Sequence, residues 1–334
     1  MSALLEIEDL TVDFTAGPRV AHAVRGVGFE VEAGRTTVVL GESGSGKSIT
    51  ARAVLRLLGA RAEVGGSIRL DGVSLLDLDE REMRSLRGRD IGLVPQDPTG
   101  SLDPLRRVGS QVAEVLRAHG VGTTRAARRE RAGELLAQAG IPDPARVARA
   151  YPHELSGGLR QRVAIAAAIA CGPRLLIADE PTTALDMTVQ ARILELFGRL
   201  RRELDMAVLL VTHDVGVARL LGSTVVVMYA GRVVEEGPAE RVLSRPAHPY
   251  TAALLGAQPR PGVPRGELPG LSGLPPSATA AIDGACALAP RCPHAEPGCS
   301  IRRPVLEPVS GGGSAACPVP WATNAVAQAE WGPR

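Results

Sequence analysis

The chain has 334 residues, whose 38 basic and 36 acidic side chains nearly cancel. That balance argues against a dedicated nucleic-acid binder, because gripping a phosphate backbone calls for a basic surplus. No run of about 18 apolar residues occurs, so no membrane-spanning helix is expected, and the acidic start lacks the basic end and apolar core of a secretory signal; the chain reads as cytoplasmic.

Taken in order, residues 4–14 and 27–31 alternate as strands do, and residues 37–40 form a buried-strand run ending at a glycine-rich turn. A helix is expected over 47–58, then short strands at 67–70 and 91–94. Residues 110–139 have helical spacing with charged faces, which suggests an inserted helical subdomain. After Ser156 helix, strand, helix and strand follow at 159–170, 175–178, 189–204 and 208–211, and such alternation implies a parallel sheet. Residues 225–229 and 232–235 flank Ala230-Gly231 like a hairpin. Pro, Gly and Ser crowd residues 259–277, and four cysteines lie between 286 and 317, the composition of a linker and a small separate module.

The segment Gly41-Glu42-Ser43-Gly44-Ser45-Gly46-Lys47-Ser48 has the spacing G-x-x-x-x-G-K-[ST] between an expected strand and an expected helix. Backbone N–H groups of such a loop close around a β-phosphate, the helix start adds partial positive charge, Lys47 neutralises the β/γ-phosphates and Ser48 offers a hydroxyl to Mg²⁺. A plain Gly/Ser turn is the alternative, and the strand-loop-helix context weighs against it. Lys47 is the only lysine in the chain. Every other basic side chain counted with it is arginine, and a compact ammonium between two phosphates cannot become a broad planar guanidinium.

Leu175-Leu176-Ile177-Ala178-Asp179-Glu180 is an apolar run ending in two carboxylates. Successive strand residues face opposite sides, so the two are expected to act differently: Asp179 in the Mg²⁺ shell, Glu180 polarising an attacking water. Ser156-Gly157-Gly158 opens a further helix and offers a second anion-accepting start, or simply an N-cap.

The phosphate loop, Gln96, Leu155-Ser156-Gly157-Gly158, Asp179-Glu180 and His213, in that order, resemble the ATP-binding subunit of ABC transporters over about residues 4–250. The resemblance implies an α/β P-loop ABC ATPase domain at 1–250 with an antiparallel β-flank and a helical subdomain at about 97–160, followed by a cysteine-bearing tail at 251–334. It implies ATP and Mg²⁺ as cofactors. Phe14 and the run from Gly41 through Ser48 to Ile49 would bind ATP; Ser48, Gln96 and Asp179 would serve Mg²⁺; Glu180, His213 and Gln96 would serve catalysis. Ala184-Leu185-Asp186 matches the D-loop. Ser156, Gly157 and Gly158 would close over ATP held by a partner subunit, so that binding joins two cassettes and hydrolysis releases them.

A narrower resemblance lies in Gly92 to Pro98, Ser156 to Arg162, Asp179 to Asp186 and Arg245-Pro246-Ala247-His248-Pro249-Tyr250-Thr251, which look like ATPase subunits of oligopeptide and dipeptide importers, a group that also takes up nickel and glutathione. Leu159 departs from the usual Met or Gln. The implied function is ATP hydrolysis driving uptake of peptides or a related solute. The implied partners are a second ATPase, expected to be a paralogue, two membrane permeases docked near residues 96–105, and an extracytoplasmic solute-binding protein, with no nucleic acid and a peripheral place on the cytoplasmic face of the membrane. A soluble ABC ATPase of DNA repair or translation is the rival; those carry long coiled coils or tandem cassettes, whereas this chain has a short insertion and one phosphate loop. A regulatory ATPase with a redox-sensing tail is a second rival.

Cys286, Cys292, Cys299 and Cys317 are separated by five, six and seventeen residues. In a reducing compartment metal ligation explains their clustering better than disulfides. The spacing lacks the C-x₂-C pairs of structural zinc sites and favours a [4Fe–4S] cluster, as does the resemblance, in which some members carry one here. Zinc and metal-free thiols remain as alternatives, and His294 could replace a thiolate.

Overall fold

The computed structural model describes residues 3–16, 19–183, 185–258, 270–282, 284–317 and 319. In chain order the elements begin with strands β1 (Ala3–Ala16), β2 (Arg19–Glu32) and β3 (Thr36–Leu40), helix α1 (Lys47–Val54), and strands β4 (Ala62–Leu70) and β5 (Val73–Ser74). Helix α2 (Glu80–Leu86) and strand β6 (Ile91–Val94) precede helices α3 (Pro98–Ser101), α4 (Val108–Ala118), α5 (Arg125–Gln138), α6 (Pro144–Arg149) and α7 (Gly157–Ala168). Then come β7 (Leu175–Asp179), α8 (Met187–Glu203), β8 (Ala207–Thr212), α9 (Val215–Leu221), β9 (Thr224–Tyr229), β10 (Arg232–Pro238), α10 (Ala239–Ser244), α11 (Pro249–Gly256), β11 (Glu307–Pro308) and β12 (Ser314–Ala315). Among the described residues no helix is long and apolar enough to cross a membrane.

Short helices that hydrophobic spacing does not announce start at acidic caps. Asp79, Asp97, Asp143 and Asp214 each accept a backbone N–H at the start of α2, α3, α6 and α9, satisfying donors that a helix start leaves open. Helix α1 stops four residues short of its expected end, because Arg56 takes the left-handed conformation, φ 50°, and a left-handed residue just past the last turn ends a helix.

The chain forms two compact units. One comprises Met1–Leu4, Val31–Thr36 and Asp71–Val211. Its strands run parallel in the order β8-β7-β6, with Leu175 paired to Ala207 on one side and to Ile91 on the other. Every residue of β7 is buried, as a strand in the middle of a parallel sheet requires. The helical block expected over 110–139 is not continuous. It ends at α4, restarts where the Thr124 hydroxyl accepts from Ala127 N at 3.1 Å, and continues into α6. Val108, Val112 and Leu116 of α4 form one buried stripe with Leu135 and Leu136 of α5 and Val147 of α6.

The other unit comprises Leu5–Glu30, Thr37–Leu70 and Thr212–Arg334. Here β3 pairs parallel with β9, and β9 turns back into β10 through Ala230 and Gly231, φ 49° and 80°. Two successive positive φ values are the signature of the tight turn whose twist matches a hairpin. Strands β2, β1 and β4 form a second sheet, β1 and β4 antiparallel; this is the β-flank.

The cysteine-bearing tail is not a detached module. Strand β12 extends the sheet by pairing with β10, Ala315 opposite Glu235, and β11 pairs with β12 in turn. Arg25 donates to the carbonyls of Ala278 and Ala280 at 3.0 and 2.8 Å.

The join is fastened by an ion pair. Glu235 is wholly buried, its carboxylate bonded to Arg241 and to the backbone N–H groups of Ala247 and His248 at 2.8 and 3.0 Å. Arg241 also donates to the carbonyls of Gly312 and Glu236. Removing one partner of such a pair leaves a buried charge without compensation, which costs about 3–5 kcal/mol. Glu235→Ala should therefore lower the unfolding free energy by about 3–5 kcal/mol, read as a shift in the urea midpoint, and a midpoint that stays put would show the pair to be dispensable.

Candidate functional site

Strand β3 is buried along its whole length and delivers the chain into the loop Gly41–Ser48. The loop lies hard against its surroundings. A Cβ at Gly41 would stand 2.3 Å from the Met228 carbonyl oxygen, and one at Gly46, φ 99°, would stand 2.6 Å from that of Ala23. No side chain fits at either position. Gly46 is the residue preceding α1. Lys47 is 4% exposed, and its Nζ donates to the carbonyls of Gly41 and Glu42 at 2.9 and 2.8 Å. The loop thus curls around the ammonium. Ser43 and Gly44 are exposed at its tip, while Ser48 and Ile49 are half-buried. The Ser45 hydroxyl is buried with no hydrogen-bond partner among the described residues, a costly state that an anion's oxygen would relieve.

Asp179 ends β7 and is buried. The alternation argument does not reach its neighbour: Glu180 has left the strand and takes φ 46°, so a left-handed turn, not the strand pleat, directs its side chain. Such a conformation costs of order 1–3 kcal/mol and persists where the surroundings enforce it. Glu180 N donates to the Val211 carbonyl at 2.9 Å, and its Oε2 accepts from Thr183 Oγ1 at 2.9 Å and from Gln96 Nε2 at 3.4 Å. Gln96 and Glu180, 84 residues apart in sequence, thus meet. Thr183 is a contact that sequence reasoning missed; its place three residues after Glu180 was the available signal.

Ser156 caps α7, its hydroxyl accepting from Leu159 N at 3.4 Å, and Ser156 and Gly157 are exposed. The Leu185 side chain approaches Gly157, and Asp186 caps α8 by accepting from Val189 N at 2.9 Å. Ala184 lies outside the described residues. Arg160 ties α7 to the stretch after Gln96 by donating to Thr99 Oγ1 at 3.2 Å. His213 is exposed between β8 and the Asp214 cap of α9, and Phe14 is half-buried on β1 opposite Ala62.

The C-terminal segment reaches the phosphate loop. The Glu42 backbone N–H donates to Tyr250 Oη at 2.8 Å, and Arg291 Nη1 stands 3.1 Å from the Glu42 carboxylate. Sequence reasoning singled out the motif containing Tyr250 without this role; for Arg291, 249 residues away, no local signal existed. Next to them, Cys286, Cys292, Cys299 and Cys317 line one small cavity of about 10 Å³ together with His248 and His294. Burial pushes the thiols of Cys286 and Cys292 up, and that of Cys317 to about 11. Burial lowers His248 to about 4, and its Nδ1 accepts from Tyr250 N at 3.1 Å. Among the described residues no group of three or more His, Cys, Asp or Glu is arranged to hold a metal ion.

Because the Lys47 ammonium is enclosed by two carbonyls, Lys47→Arg should abolish nucleotide binding, measured by titration calorimetry, while leaving the far-ultraviolet circular dichroism unchanged; ordinary affinity in that variant would remove the loop from consideration.

Comparison with known proteins identifies the family. Residues 24–183 match the ABC transporter family, and residues 234–299 match the oligopeptide/dipeptide transporter C-terminal region. The chain is 45% identical over 326 residues to the "Probable peptide ABC transporter ATP-binding protein y4tR" of Sinorhizobium fredii, covering 97% of this chain and 96% of that one. It is 44% identical over 316 residues to the oligopeptide transport ATP-binding protein OppD of Salmonella typhimurium, covering 95% and 93%. Among solved structures, the dimeric ATP-binding cassette MJ0796 in a post-hydrolysis state bound to ADP and Pi superposes with a TM-score of 0.64 at 32% identity, covering 70% of this chain and 98% of that one. The chain is therefore an ATP-hydrolysing member of the ABC transporter family, in the group that carries the oligopeptide/dipeptide transporter C-terminal region.

Proposed function

We propose that this chain powers an importer of oligopeptides or dipeptides. The observation that carries the reading is the C-terminal region matched over residues 234–299 on a chain that also holds the ordered cassette motifs; both relatives above are named for peptide transport. In this reading the loop Gly41–Ser48, with Ile49 and Phe14, binds ATP. Lys47 neutralises the β- and γ-phosphates, and the backbone N–H groups before α1 hold them. Ser48, Asp179 and Gln96 would hold Mg²⁺, which would supply positive charge to offset that of the phosphates. Glu180 accepts a proton from the attacking water, its carboxylate steadied by Thr183 and Gln96. His213 contacts the γ-phosphate.

A second cassette completes the site. The exposed start of α7 at Ser156 and Gly157 suits closure over the partner's nucleotide, and Met187, 87% exposed beside Asp186, suits burial in the same contact. Two permeases form the pathway, fed by a solute-binding protein. Leu105, 85% exposed after α3, is the apolar side chain available to a permease near Gln96. The chain then sits peripherally on the cytoplasmic membrane face.

The four cysteines are read as ligands of a [4Fe–4S] cluster. The four thiols line one small cavity and their sequence spacing lacks C-x₂-C pairs, which supports the reading; thiolate ligation would displace protons that burial otherwise retains.

Glu180→Gln should lower turnover by roughly 10²–10⁴-fold and leave an ATP-bound dimer visible by size-exclusion chromatography; normal turnover would overturn the assignment. Anaerobic purification should give a brown protein with roughly four irons per chain, whereas a colourless protein carrying zinc, or no metal, would reverse the cluster reading.

A further inference from the structure

Glu42 is an acidic residue inside a loop built to hold polyphosphate, and each of its polar groups is engaged. Its backbone N–H donates to Tyr250 Oη at 2.8 Å, and its carbonyl accepts from Lys47 Nζ at 2.8 Å. Its two carboxylate oxygens face the Arg291 guanidinium, with Nη1 to Oε2 at 3.1 Å and Nη2 to Oε1 at 3.4 Å. The forked pair is the geometry in which an arginine holds a carboxylate best.

The arginine is itself held. Its Nε donates to the Ser272 carbonyl at 3.1 Å, Nη2 lies 3.4 Å from the Leu271 carbonyl, and Nη1 donates to Tyr229 Oη at 3.2 Å. The guanidinium lies 5.8 Å from the centre of the Tyr229 ring, and that ring packs against Tyr250 at 4.6 Å. The Arg291 side chain is 7% exposed and the Glu42 side chain 31%. A partly buried pair of this kind is screened by salt less than a surface pair is. Without the arginine, a carboxylate would remain in the loop that must accept the negative charges of ATP, and like charges at such distances repel.

We infer that Arg291 is a positioning residue for ATP binding, acting through Glu42: by pairing with its carboxylate, the cysteine-bearing tail cancels an acidic charge inside the phosphate loop. Arg291 touches no reacting atom. The inference rests on Gly41–Ser48 as the ATP site, which Lys47→Arg tests separately.

The experiment compares full-length wild type, Arg291→Ala, Arg291→Gln, Arg291→Lys and the double variant Glu42→Gln/Arg291→Ala by ATP titration and steady-state ATPase assay. Loss of a charge-assisted pair should weaken ATP binding about tenfold or more in Arg291→Ala, expressed in KM, with turnover at saturating ATP within about twofold of wild type. Raising the salt concentration should narrow that deficit, because screening removes a repulsion. Arg291→Lys should recover part of the affinity, and the double variant should bind more tightly than Arg291→Ala, since the uncompensated carboxylate is gone. If Arg291→Ala does not fold, Arg291→Gln keeps a donor and stem without the charge and takes its place. Unchanged affinity in the neutral variants, or a double variant as weak as the single one at every salt concentration, overturns the inference.

Discussion

The constraint on which the phosphate loop depends is the absence of a β-carbon at Gly41 and Gly46. Backbone carbonyls stand so close to both that any side chain would collide. From that closeness follows the curl that brings two loop carbonyls onto the Lys47 ammonium. The buried strand β3 fixes where the loop begins, and α1 fixes where it ends. An anion site of this type is made of main chain, and its shape is enforced by neighbours that exclude side chains instead of by residues that reach in.

Strain and charge are handled by different means at the acidic side chains of this chain. Glu180 carries its acidic group on a left-handed residue outside the strand, held by its own N–H and by two side-chain donors. Glu42 carries its acid on the phosphate loop itself, matched by an arginine from the far end of the chain. In Glu235 the acid is fully buried and serves to join β10 to the tail. Three carboxylates of the same chemistry have been given three environments, and environment decides what each can do.

Local features were legible in the sequence. The phosphate loop between strand and helix, the apolar run into Asp179, and the Ala230-Gly231 turn each combine residue type with immediate context, and the structure has all three. What escaped is of two kinds. Short helices such as α2 and α9 lack enough turns to show a period, although Asp79 and Asp214 mark their starts. Contacts between distant segments, such as Arg291 with Glu42 or Ala315 with Glu235, depend on how the chain returns to the sheet, which no local pattern encodes. The alternation argument does not extend to Glu180 for a third reason: a strand's alternation ends where its backbone leaves the strand.

The solitary lysine has one more consequence. A protease that cleaves only after lysine finds a single site in the whole chain, at Lys47. In the folded protein that bond lies at the start of α1, beneath a side chain that is 4% exposed. Cleavage must therefore wait for the loop to open, and it yields two fragments of known size. When opening and closing are fast relative to cleavage, the rate of their appearance reports the free energy of opening. The composition of this chain has thus left a natural clock on the segment where its work begins.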